Sequence, residues 1–139
     1  MTAGVDLGRP QAQAIGSDED VVRVRQLVRT VAVAVKLSLV DQTKLVTAAS
    51  ELARNTLIYG GGGSAEVTAV EDGRRRGVRI VFADSGPGIS DLALALTDGY
   101  TTGGGLGLGL SGARRLVDDF DLKSAVGEGT RVTITKWSR

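Results

Sequence analysis

The stretch GGGLGLGL, Gly103 to Leu110, is the part of the sequence on which the fold assignment depends. Five of its eight residues are glycine, and leucines separate the last three glycines. Glycine costs a helix or strand about 0.5–1 kcal/mol relative to alanine, so such a run implies a gain elsewhere. A glycine loop that ends at a helix N-terminus presents free backbone N–H groups to an anion, and it can approach a phosphate closely. We therefore predict a phosphate-binding loop, with Gly99 to Gly105 as a mobile lid that leads into a helix.

Other interpretations of this glycine stretch fit the surrounding sequence less well. Residues 107–112 match the dinucleotide fingerprint G-x-G-x-x-G, but that motif needs a strand before it and an acidic residue about 20 positions later. Residues 98–102, DGYTT, cannot form a central strand, and Glu128 lies in a predicted turn. A P-loop requires a Gly-Lys pair, which the sequence lacks. Taken alone, the glycine stretch could also be structural: a flexible segment that leads into the closely packed start of a helix.

The composition limits the classes of function. With 139 residues, 42% apolar residues and a net charge of +1, the chain fits one globular domain without a large basic surface for nucleic acid. The absence of cysteine excludes disulfides and thiolate zinc sites, and the absence of histidine excludes a Ser-His-Asp triad and a phosphohistidine within this chain. No apolar run reaches the ~18–20 residues of a membrane span, and the N-terminus lacks a signal-peptide pattern. We expect a cytoplasmic protein with neither nucleic acid nor membrane as partner.

Hydrophobic periodicity and turn signals divide the chain into a flexible tail, residues 1–10, and a single domain, residues 11–139. Helices, a hairpin, a helix and a second hairpin follow one another, which predicts an α+β two-layer sandwich. The predicted elements are an edge strand Gln11–Ile15, a helix capped near Ser17, a helix Asp41–Tyr59 stopped by Gly60–Gly63, strands Glu66–Glu71 and Val78–Asp84 around a turn Asp72–Gly77, a short helix Ser90–Leu96, a helix Leu108–Asp119, and strands Leu122–Val126 and Thr130–Lys136.

Three further motifs carry residues suited to chemistry. Glu51 and Asn55 lie four residues apart in a predicted helix, so both project from one face, where a carboxylate base could stand beside a hard-cation ligand. Asp84 ends an apolar strand before Ser-Gly-Pro-Gly, and its carboxylate could accept a hydrogen bond from an exocyclic amine such as that of adenine. The segment 127–130, GEGT, opens the last strand. Taken singly, these motifs are also typical of a solvated helix face, a turn-capping aspartate and a hairpin turn.

Taken together and in this order, the pieces resemble the GHKL ATPase superfamily, whose shared core is called the Bergerat fold. The resemblance covers about Asp18 to Trp137 and implies a mixed, mostly antiparallel sheet with helices on one face. The matching positions are Glu51 and Asn55 for the N box, Asp84 to Gly88 for the first glycine box D-x-G-x-G, Gly105 to Leu110 for the second glycine box, and Gly127 to Thr130 for the last G-x-G-T.

Three stretches narrow the resemblance to the RsbT-like switch serine/threonine-protein kinases of bacterial stressosomes. They are residues 50–55, SELARN, residues 98–110, DGYTTGGGLGLGL, and residues 116–120, LVDDF. The absent histidine agrees, because this branch phosphorylates another protein directly. The resemblance implies a kinase for STAS-domain proteins that, once released, activates an output protein, usually a PP2C-type phosphatase.

The resemblance also assigns roles to individual residues, with ATP and Mg²⁺ as cofactors. Glu51 would be the general base for the partner's Ser or Thr hydroxyl, and Asn55 would coordinate Mg²⁺. Asp84 would bind the adenine amino group, helped by a water held by Thr130. The other nucleotide-binding residues implied are Gly86, Gly88, Gly103, Gly104, Gly105, Leu106, Gly107, Leu108, Gly109 and Leu110.

Two alternative functions stay open at this point. The first is an anti-sigma factor kinase of the same superfamily, which would hold a sigma factor and phosphorylate an anti-anti-sigma STAS protein. The second is a non-catalytic, nucleotide-gated binding module, against which the presence of both Glu51 and Asn55 argues. Binding to a purified sigma factor would favour the first, and unchanged phosphotransfer after Glu51→Gln would favour the second.

Overall fold

The computed structural model of the chain describes residues 9–88 and 109–138. The predicted helix Ser90–Leu96, the lid Gly99–Gly105 and most of the predicted tail lie outside the described residues. The described elements are β1 (Gln11–Ile15), α1 (Asp18–Ala34), α2 (Leu39–Ile58), β2 (Gly63–Asp72), β3 (Arg75–Asp84), α3 (Gly109–Arg115), β4 (Asp119–Ala125) and β5 (Gly129–Trp137).

The five strands form one sheet in the order β1-β2-β3-β5-β4, and each described pairing is antiparallel. Alternate residues of the central strands are buried, such as Val78, Ile80 and Phe82 of β3, while Arg79 between them is exposed. α1 and α2 pack on this buried side, called here the helix-facing side. The predicted α+β two-layer sandwich with helices on one face is therefore confirmed.

α1 is a helix although its sequence is rich in β-branched valine. Val21, Val24, Val28 and Val31 are buried at spacings of three and four, so the apolar stripe follows the helical period. The hydroxyl of Ser17 accepts the Asp20 N–H, and three acidic residues in the first turn complement the helix dipole. The pKa of Asp20 lies below its usual range, mainly because its carboxylate accepts a hydrogen bond from the Gly16 N–H. A second hydrogen bond, from the Arg23 side chain, acts in the same direction.

Several predicted boundaries are wrong by a few residues, because a local cap or hydrogen bonds far along the chain decide them. α2 begins at Leu39, after the cap Ser38, and ends at Ile58. α3 ends at Arg115 and not at Asp119, because the Asp118 N–H donates to the Thr135 carbonyl at 3.0 Å and Asp119 already pairs in β4. β2 extends back to Gly63, which pairs with Asp84, and β3 starts at Arg75.

The end of the sheet formed by the last residues of β5 is held by charged side chains. Lys136 is 3% exposed, and its Nζ lies 3.6 Å from Oδ1 of Asp41 in α2 and 3.5 Å from Oδ1 of Asp118. The indole N–H of Trp137 donates to Asp119 at 2.9 Å, and the Arg75 guanidinium lies 4.4 Å from the indole ring centre. These contacts tie the start of α2 and the start of β4 to the same strand end.

Within residues 9–88 and 109–138, no helix combines the length and the apolar content that crossing a bilayer requires.

Candidate active site

One row across the helix-facing side of the sheet is polar. Asp84 of β3 stands opposite Thr130 of β5, and Thr130 stands opposite Ser124 of β4, all three half-buried. We call these three residues the polar row. The row next to it on the same face is apolar and consists of Ala65, Phe82, Val132 and Leu122. Hydrogen-bonding groups are therefore gathered at one end of this face, beside an apolar row and near the end of α2.

Asp84 is held in place by two contacts. Its Oδ1 accepts the Gly86 N–H at 2.9 Å, which closes a local turn after β3. Its side chain also lies against Gly60, where an added Cβ would overlap the Asp84 Cγ. Among the residues that the structure describes, no further donor reaches this carboxylate, so Oδ2 keeps its capacity to accept a hydrogen bond from a ligand.

The second half of α2 brings the predicted base and amide to the same end of the molecule. Glu51 and Asn55 are both half-buried and border the buried stripe that contains Leu52. The Asn55 carbonyl accepts the N–H groups of Tyr59 at 2.9 Å and Gly60 at 3.2 Å. Asn55 thus lies five residues before the glycine on which Asp84 packs, and Glu51 lies one helical turn further back. Arg54, between them in sequence, is exposed.

Gly86 and Gly88 are required by protein packing. A Cβ on Gly86 would lie 2.7 Å from the Gly60 Cα, and one on Gly88 would overlap the Ala125 carbonyl. Close by, the Gly127 N–H donates to the Pro87 carbonyl at 2.8 Å. The segment after β3 is therefore held between the end of α2 and the β4–β5 turn. Its contact with a nucleotide, which the resemblance implies, stays a prediction.

The predicted glycine loop is described only at its end. Gly109 and Leu110 are half-buried and open α3, which packs against α2 and buries Ala113. Gly103, Gly104, Gly105, Leu106, Gly107 and Leu108 lie outside the described residues. The structure therefore shows where such a loop would end, beside the helix that carries Glu51 and Asn55.

The residues present fit a metal–nucleotide complex. Asp84 offers a free acceptor at the polar row, which suits an exocyclic amine. Among the described residues, no group of three or more acidic, histidine or cysteine side chains could hold a metal ion. The amide oxygen of Asn55 is a hard ligand of the type Mg²⁺ prefers, and Mg²⁺ commonly takes its other ligands from phosphates and water.

Two site residues did not stand out in the sequence. The sequence indicates Gly60 only as part of a helix stop and Ser124 only as a residue of a predicted strand. Ser124 joins the site because the register places it opposite Thr130, at an Oγ–Oγ1 distance of 2.9 Å. The only sign of this position in the sequence is the alternation of side chains along a strand, which puts Ser124 on the same face as Leu122 and Phe120.

A family profile described as "Histidine kinase-, DNA gyrase B-, and HSP90-like ATPase" matches residues 40–138. The chain belongs to this ATPase family. The match includes Glu51, Asn55, Asp84 and Thr130, and it confirms the predicted GHKL superfamily.

Relatives of this ATPase family narrow the assignment. The serine/threonine-protein kinase RsbT of Bacillus subtilis (strain 168) is 45% identical over 125 residues, which cover 90% of this chain and 94% of RsbT. The predicted resemblance to the RsbT-like branch is therefore confirmed, as is the prediction of an enzyme of the protein-serine/threonine kinase class.

Solved structures support the fold of the ATPase family. The RsbU and RsbW domains of Rv1364c from Mycobacterium tuberculosis match with a TM-score of 0.66 and 22% identity, over 94% of this chain and 33% of that chain. The mycobacterial sensor histidine kinase MprB matches with a TM-score of 0.57 and 19% identity, over 94% of this chain and 99% of that chain. This chain thus spans a third of the first of these proteins.

Proposed function

We propose that this kinase uses Mg²⁺ and ATP to phosphorylate a serine or threonine of a STAS-domain protein in a stressosome-type partner switch. After release it activates an output protein such as a PP2C-type phosphatase, and it acts in the cytoplasm. The observation that carries the proposal is the position of Glu51 and Asn55 within the last nine residues before Gly60, on which Asp84 packs. The likeness to RsbT, a serine/threonine-protein kinase, supports a serine or threonine of a protein as the phosphate acceptor.

The proposed site divides into a base-binding end and a phosphate end. Asp84 and Thr130 would receive the adenine at the polar row, and the loop 103–110 would cradle the phosphates. Asn55 would hold Mg²⁺, which when bound neutralises phosphate charge. Phosphoryl transfer depends mainly on positioning and charge neutralisation, so a small set of side chains suffices.

Glu51 would act as the general base in the transfer. The hydroxyl oxygen of the partner attacks the γ-phosphorus, the bond from that phosphorus to the bridging oxygen breaks, and ADP leaves. The hydroxyl proton passes to the Glu51 carboxylate. The half-buried position of Glu51, on the same side of α2 as Asn55, allows a partner's side chain to reach it.

The experiment is phosphate transfer from labelled Mg-ATP to the STAS-domain proteins of the source cell. Glu51→Gln keeps the shape of the side chain but cannot accept the proton, so transfer should fall about 10²–10⁴-fold. ATP binding, measured by calorimetry, should stay close to that of the wild type. The matched control is Glu66→Gln, an exposed carboxylate on the other face of the sheet, which should transfer normally.

The outcomes separate the candidate functions. Label on one STAS protein that disappears with Glu51→Gln supports the switch kinase and identifies its substrate. Confirmed ATP binding without label on any STAS protein would reject the proposal in favour of a nucleotide-gated binding module. Tight binding of a sigma factor by the wild type would favour the anti-sigma factor kinase instead.

A further inference from the structure

Ser124 has no role in the proposed chemistry, yet it lies in the polar row beside Thr130. Its hydroxyl donates to the Gly129 carbonyl at 2.9 Å. The same oxygen lies 2.9 Å from the Thr130 Oγ1. Both residues are half-buried on the helix-facing side, Thr130 one strand and Ser124 two strands away from Asp84.

Counting protons gives the direction of the second hydrogen bond when both contacts form together. A serine hydroxyl has one proton to donate and two lone pairs that accept. A carbonyl can only accept, so both contacts can be hydrogen bonds at once only if Ser124 donates to the Gly129 carbonyl and Thr130 donates to Ser124. The remaining hydrogen-bonding capacity of Thr130 Oγ1 is then acceptance.

The neighbour of Thr130 on the other side is also an acceptor. Asp84 and Thr130 stand directly opposite in the β3–β5 ladder and on the same face, where Cβ atoms are about 4.5–5.5 Å apart. An ionised carboxylate accepts hydrogen bonds and cannot donate them. The polar row therefore presents two acceptors side by side and no donor.

We propose that Ser124 is a positioning residue that fixes the Thr130 hydroxyl as an acceptor and thereby selects a purine with an amino group at position 6. The inference rests on the proposed function, which places the nucleotide base at Asp84. A 6-amino group donates and matches this row. A 6-keto purine brings an acceptor oxygen beside its N1–H, and two fixed acceptors leave that oxygen without a donor.

The test compares binding of ATP and inosine triphosphate, which differ only in the position-6 group and the adjacent N1 proton. Equilibrium affinities of both nucleotides are measured by calorimetry, with Mg²⁺, for the wild type and Ser124→Ala. Removing Ser124 frees the Thr130 hydroxyl to donate to a keto oxygen. The ratio of ATP affinity to inosine triphosphate affinity should therefore fall about three- to tenfold, the range for one neutral hydrogen bond.

A purely structural role of Ser124 predicts a different result. Loss of local packing would weaken the binding of both nucleotides equally and leave the ratio of their affinities unchanged. That outcome would overturn the inference. Ser124→Thr keeps a hydroxyl on a strand-compatible side chain and should retain the wild-type ratio. Ser64→Ala, the same size of change on the opposite face of the sheet, should also leave the ratio unchanged.

A double-mutant comparison sharpens the assignment to Thr130. If Ser124 acts through that hydroxyl, Ser124→Ala should not change the ratio in a Thr130→Val background, so the two changes should be non-additive. Additive effects would overturn the inference. Binding of neither nucleotide by the folded wild type would overturn the proposed function as well, whereas ATP binding with an unchanged ratio would overturn only the role of Ser124.

Discussion

Gly60 shows how a single residue can link two motifs that lie apart in sequence. It follows α2, so its position in the chain suggests only a helix stop. In the structure its missing side chain makes room for Asp84, whose Cβ, Cγ and Oδ2 occupy the space that a Cβ would take. The carboxylate at the end of β3 therefore depends on a residue that follows the helix of Glu51 and Asn55.

We expect Gly60→Ala to weaken ATP binding about 10- to 100-fold, because displacing Asp84 by about 1 Å would misplace the base. The added methyl meets Asp84 near its backbone, where the side chain cannot simply rotate away. Calorimetry with ATP measures the effect, and circular dichroism verifies the fold. At the control position Gly61 an added Cβ meets open space, so Gly61→Asn should bind ATP normally. Equal affinities for Gly60→Ala and the wild type would show that Asp84 tolerates the methyl.

At the scale of elements, α2 is held at both ends by residues from other parts of the chain. Its second half meets β3 through Gly60, and its first turn carries the buried Asp41, which lies near Lys136 of β5. Lys136 also reaches Asp118, the residue before β4. One buried ammonium group therefore connects α2, β4 and β5, and two carboxylates surround it.

Replacing Lys136 by methionine should lower the free energy of unfolding by about 3–5 kcal/mol, because it removes the cation beside the buried carboxylate of Asp41. Urea denaturation of the wild type and of Lys136→Met measures this difference in the free energy of unfolding. The exposed Lys123, whose Nζ is 4.0 Å from Asp121, provides the comparison. Lys123→Met should cost at most about 1 kcal/mol, as is usual for a surface ion pair. Similar losses for both variants would mean that burial of the Lys136 cluster contributes nothing.

At the scale of the whole molecule, residue patterns predicted the order and type of the described elements. The valines at helical spacing in α1 and the alternation in β3 were sufficient, because burial of one face decides both. The contacts that end the elements were beyond prediction. Asp118 pairs with Thr135 through strand register, and Gly60 meets Asp84 through the packing of α2, so neither contact leaves a local sign in the sequence.

Nucleotide binding should stabilise the whole fold. ATP at about 100 times its Kd should add about 2.7 kcal/mol and raise the Tm by about 6–10 °C. Asp84→Asn should remove this rise while leaving the Tm without ATP nearly unchanged, because an amide oxygen can still accept the Gly86 N–H. The amide nitrogen introduced by this substitution would present a hydrogen-bond donor to the base, where the carboxylate presents an acceptor. Thermal melts with and without ATP provide the measurement.

The control for this melt is Asp121→Asn, at an exposed position of β4. It should show the full rise with ATP. A full rise for Asp84→Asn as well would place the base elsewhere.

The position of Trp137 has a practical consequence for spectroscopy. It is the only tryptophan of the chain, and its indole is fixed by Asp119 and Arg75 at the last residue of β5. Thr130 lies seven residues earlier in the same strand, a separation of about 23 Å at the usual rise per residue. Intrinsic fluorescence should therefore follow unfolding of the sheet with little direct quenching by a bound purine, so the protein carries its own stability reporter at a distance from its proposed ligand.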